Sequence, residues 1–108
     1  MMEDLYAKFL PQFVSLAEGR LARCAEALAQ PDQAAGALVI REMHAIAGEA
    51  GLLGLAQIMG LARQGEELGK RLRDSGATAD ADALTGTLQD LKNALALVGA
   101  SSKPKGGT

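Results

Sequence analysis

The sequence predicts an all-α fold: an up-down-up-down antiparallel four-helix bundle with a short extra N-terminal helix. Two observations carry that prediction. Apolar residues are 48% of the chain, dominated by Ala and Leu with only three Val and three Ile, and aromatics are 3%. Ala and Leu head the helix scale, whereas strands favour β-branched and aromatic residues. Apolar positions also recur at three- and four-residue spacing almost without interruption from Glu3 to about Ala100.

The elements follow in order. Leu5, Phe9 and Leu10 form a short first segment that stops at Pro11. A new or kinked helix then runs from Pro11 to about Ala29, burying Phe13, Ala17, Leu21, Cys24 and Leu28. Proline is tolerated at a first helical position because its missing N–H is unneeded there. Gln30-Pro31-Asp32 is a turn. The second long helix, Gln33 to Leu53, carries Leu38 or Val39, Met43, Ile46, Ala50 and Leu53, with Gly54 as its stop. The third, Leu55 to about Arg73, carries Ile58, Leu61, Ala62, Gly65, Leu68 and Leu72, and Asp74-Ser75-Gly76 closes it. Thr78 or Asp80 caps a fourth helix with a Leu84, Leu88, Leu91, Leu95 and Val98 stripe. Residues 1–100 read as one bundle and 101–108 as a flexible tail.

Composition narrows the function. The 108 residues suffice for one domain, and 11 basic against 13 acidic residues give a net charge of −2. A nucleic-acid binder working through phosphate contacts shows a basic excess, so no nucleic-acid partner is expected. No apolar run approaches the roughly 20 residues that span a bilayer, and no membrane partner is expected. The start Met1-Met2-Glu3-Asp4 lacks the basic region of a signal peptide. The single cysteine, Cys24, excludes an intrachain disulfide framework and suits a reducing cytoplasm. A cytoplasmic, monomeric protein is the expectation.

The local rules fail in one place, Met43-His44-Ala45-Ile46-Ala47-Gly48-Glu49-Ala50-Gly51. Two glycines stand inside a helix, each costing about 1 kcal/mol relative to Ala. At about 100° per residue, Val39, Met43, Ile46 and Ala50 fall within about 60° of one another, while Ala47, Gly51, His44 and Gly48 lie about 80°, 120°, 140° and 180° from Val39. The only histidine of the chain thus stands off the core stripe, on a patch with almost no side chains. A lone helical histidine is ordinarily a solvated residue, and paired glycines ordinarily serve close packing. Their combination instead lets another protein's surface approach an imidazole, whose neutral nucleophilic form dominates near pH 7. No second His or Cys pair accompanies it, so no metal site is expected.

His44-x-x-x-Gly48-x-x-Gly51-x-x-Gly54, in the second long helix of an Ala/Leu-rich bundle of this length, resembles the histidine phosphotransfer (HPt) domain. Phe9-Leu10-Pro11-Gln12-Phe13 is similar to that family's kinked N-terminal region, and the resemblance spans roughly Asp4 to Ala100. It implies a phosphocarrier without its own ATP site, relaying a phosphoryl group between receiver-domain aspartates, or from a hybrid histidine kinase to a response regulator. His44 would be the phosphoacceptor, and Glu66 would orient its imidazole, with the neighbouring Glu67 able to take that role. Gly48, Gly51, Ala47, Arg41 and Lys70 would form the docking surface. The resemblance implies no cofactor on this chain, with Mg²⁺ expected on the partner receiver only. One departure stands out: the family usually has Lys where this chain has Ala47. Arg41, Lys70 or Arg63 could supply the missing cation. A phosphorylation-incompetent adaptor, or an excised phosphoacceptor domain of a chemotaxis-type kinase, are the alternatives.

Overall fold

The computed structural model describes residues 2–102, with side chains for 7–100. Four helices account for them: α1 (Met2–Ala27), α2 (Gln33–Leu52), α3 (Ala56–Ser75) and α4 (Thr78–Ser102). Each helix packs on the next, and α1 also packs on α4, so the four close a ring around one core. Met43, Ile46, Ile58, Leu72, Leu84, Leu91, Leu95, Val39 and Cys24 are its largest fully buried side chains. None of the helices is long and apolar enough to cross a membrane.

The extra N-terminal helix is not a separate element. Pro11 lies inside α1, which runs unbroken from Met2 to Ala27. Pro11 itself is exposed, as is Ala7 one turn earlier, so water can serve the carbonyl that loses its backbone donor. Leu10, Phe13 and Ala17 are all buried and continue one stripe past the proline. Packing of that stripe outweighs the local break. Leu5 lies outside the residues whose side chains are described. At the other end α4 continues through Ser102, and the remainder of the expected tail, 103–108, lies outside the described residues.

The helix ends are set by short-range chemistry. Asp32 Oδ1 accepts from the Ala35 N–H at 2.8 Å and caps α2. Its other end is a Schellman turn: Gly54, at φ +72°, donates to the Gly51 carbonyl and Leu55 donates to that of Ala50. Gly76, at φ +66°, closes α3 in the same left-handed conformation. The fourth helix starts differently from expectation. Ala77 supplies the first accepting carbonyl, and Asp80, already within the first turn, accepts from the Ser75 hydroxyl.

The closest helix pair is α2 with α3. A Cβ on Gly36 would lie 2.5 Å from the Arg73 backbone nitrogen and 2.9 Å from the Gly69 carbonyl oxygen. Further along, a Cβ on Gly65 would lie 2.7 Å from Met43 Sδ. Glycine here removes side-chain bulk and lets the backbones approach, with contacts descending α3 as they ascend α2.

The other side of α2 is held by charge. Glu42, 8% exposed, accepts from Arg20 at 2.8 Å and from Arg23 at 3.1 Å, both on α1. The Arg23 hydrogen bond holds the Glu42 carboxyl below its ordinary range against the opposing effect of burial. Arg20 also reaches toward Glu49 at 3.7 Å. We predict that Glu42→Ala lowers stability by about 1–3 kcal/mol, since two guanidinium groups lose their buried acceptor. A depressed folded-state value means that the contribution is present above the ordinary carboxylate range and fades as pH falls through the lower folded value. Thermal melts at neutral pH and near pH 3 check both statements: the difference between wild type and variant should shrink in acid.

Candidate functional site

The site is built on the outer edge of the α2–α3 pair. His44 projects from α2 with its side chain 79% exposed, while the core residues Met43 and Ile46 flank it in sequence and anchor the helix beneath it. Its Nδ1 lies 3.3 Å from Glu66 Oε2 on α3, and the Glu66 side chain is 19% exposed. With the proton on Nδ1, the ring donates to this carboxylate and keeps the Nε2 lone pair for an incoming group. Glu67 makes no such contact; it pairs with Lys70 at 3.5 Å.

The glycine positions differ in their surroundings. Nothing lies within 4 Å of where a Gly48 Cβ would be, so the backbone one turn beyond His44 is open. Gly51 is exposed, but a Cβ there would sit 3.3 Å from Met59 Sδ. Leu52, which sequence reasoning did not single out, is 89% exposed one turn past Gly48. Leu52 lies about 220° round α2 from Val39, opposite the core stripe and next to Gly48, and that position leaves it in solvent.

Ala47 is placed otherwise than expected. It is 7% exposed and belongs to the core, so it is not part of an exposed docking surface. The reason is the position of α3, which covers α2 on the His44 side of the Val39 stripe. Arg41 and Arg63 are exposed and Lys70 is half-buried. Of the other nucleophile, Cys24, burial leaves little: its thiol is pushed up to about 12 and holds its proton at neutral pH. Among the described residues no three His, Cys, Asp or Glu side chains gather as a metal site.

An exposed, nucleophilic imidazole held by a carboxylate at its far nitrogen, beside bare backbone, can take a group from a partner's surface. It has no enclosing cleft of its own. The family model described as "Hpt domain" matches residues 8–101. No curated protein and no solved structure matches.

Proposed function

This chain belongs to the Hpt domain family, and we propose that it carries a phosphoryl group on His44 between receiver-domain aspartates of a two-component phosphorelay. The observation that carries the reading is the 3.3 Å contact of Nδ1 with Glu66 on an otherwise exposed ring. In the forward step the Nε2 lone pair attacks phosphorus of an aspartyl phosphate. The N–P bond forms, the P–O bond to the carboxylate breaks, and that oxygen keeps the electron pair. The imidazole becomes cationic, and Glu66 offsets the charge at Nδ1. In the return step an aspartate oxygen of a second receiver attacks phosphorus, and the N–P pair returns to Nε2. The receiver brings its own Mg²⁺, and the setting is cytoplasmic.

The test is incubation with a panel of receiver domains already phosphorylated on aspartate. Acid-labile, base-stable label on this chain supports the reading, and none from any receiver sinks it. The same assay examines the docking face. Gly48→Ala should be tolerated, with a stability gain of up to ~1 kcal/mol from helix propensity. Gly48→Gln should stay folded and slow transfer strongly, because its side chain fills the approach to His44. Unchanged transfer in the folded Gln variant would mean that receivers come in over another face.

A further inference from the structure

We infer that Arg63 is the side chain that grips the phosphoryl group on His44. The inference rests on His44 being the phosphoryl carrier. A phosphoryl group carries close to two negative charges, and its oxygens are best met by a guanidinium fork. Ala47, one turn from His44 on α2, offers no charge and is buried.

The register between α2 and α3 identifies the residue that does. Going seven residues along α2, from His44 to Gly51, moves the α3 partner back seven, from Glu66 to Met59. Three residues past His44 therefore face three before Glu66, so Arg63 stands opposite Ala47. Met59, Arg63 and Glu66 share one face of α3 within about 60°, and Arg63 is about 4.5 Å along the helix axis from Glu66. Arg63 is exposed, and among the described residues no carboxylate lies within 4 Å of it. The space over Gly48 is open, giving a long side chain room to reach across.

The other cations are less well placed. Lys70 Nζ lies 3.5 Å from Glu67 Oε1 and is already partnered. Arg41 lies about 60° further round α2 than His44, on the side away from α3. Glu66 is the carboxylate at the site and meets Nδ1, not the phosphorylated edge.

Phosphoramidate, a small histidine phosphodonor, loads the full chain without any receiver, and the ³¹P signal of the product is then titrated. A guanidinium beside the phosphoryl group favours its dianion. Arg63→Gln should therefore raise the phosphoryl pKa by roughly 0.2–0.7 of a pH unit, the range of an exposed ion pair. Arg63→Lys should keep most of the wild-type value, and about 1 M salt should erase the difference. Arg41→Gln and Lys70→Gln should move it less. An unmoved titration in Arg63→Gln, with phosphohistidine present, overturns the Arg63 assignment and leaves His44 as carrier. Absence of any phosphohistidine signal overturns the carrier reading and the assignment together.

Discussion

His44→Gln should remove the acid-labile label completely while leaving the helical signal and melting temperature nearly unchanged. The ring is 79% exposed, and its hydrogen bond with Glu66 lies at the surface. Its loss should change stability by under about 0.5 kcal/mol. Function should respond in all-or-none fashion, because a carboxamide nitrogen has no available lone pair to attack phosphorus. Cys24 cannot substitute, buried and protonated as it is. Labelling by a phosphorylated receiver and a thermal melt of the same preparation check both halves. Retained label in the variant would move the acceptor elsewhere.

Gly36→Ala should have the opposite profile, a large loss of stability from one methyl group far from the histidine. The new carbon would meet the Arg73 nitrogen at 2.5 Å and its Cα at 2.8 Å, atoms of a helical backbone that cannot swing aside. Helix propensity alone would favour the change by about 1 kcal/mol. Overpacking of about 1–3 kcal/mol or more should outweigh it, since α3 as a whole must move off α2. A net loss of 1–2 kcal/mol lowers the melting temperature by roughly 5–15 °C in a domain this size. Transfer should slow as well, because Glu66 rides on the helix that is displaced. A melting temperature equal to or above wild type would show that the two helices do not depend on this approach.

Much of the fold is written locally. The apolar stripes of α2, α3 and α4, and the Gly54 and Gly76 stops, follow from spacing and turn chemistry alone. What was not legible depends on which helix covers which face. Ala47 sits about 80° from Val39 and reads as the edge of a bare patch until α3 is laid over it. Nothing in the sequence marks Glu42, because its partners Arg20 and Arg23 come from another helix. The use of Gly36 and Gly69 appears only when each is set against the other helix's backbone. Pro11 reads as a boundary, and only the burial of Leu10 and Phe13 on either side explains an unbroken α1.

The candidate site stands out in the sequence for a different reason. An exposed imidazole beside glycine breaks the rules that a helix obeys when it has only packing to satisfy, and such breaks stand out. Glu66 followed from the resemblance and from the reversal of the chain at Gly54. Arg63 was one of three candidate cations, and the inter-helix register sets it apart from Arg41 and Lys70.

A histidine fixed through Nδ1, so that Nε2 does the chemistry, is the centre of the proposed mechanism. A long-range ¹H–¹⁵N spectrum of the phosphorylated chain, with ³¹P coupling resolved, reads this directly. The phosphoryl group is expected on Nε2 of His44, with Nδ1 protonated toward Glu66. Phosphorus bonded to Nδ1, or to any residue other than His44, would contradict it.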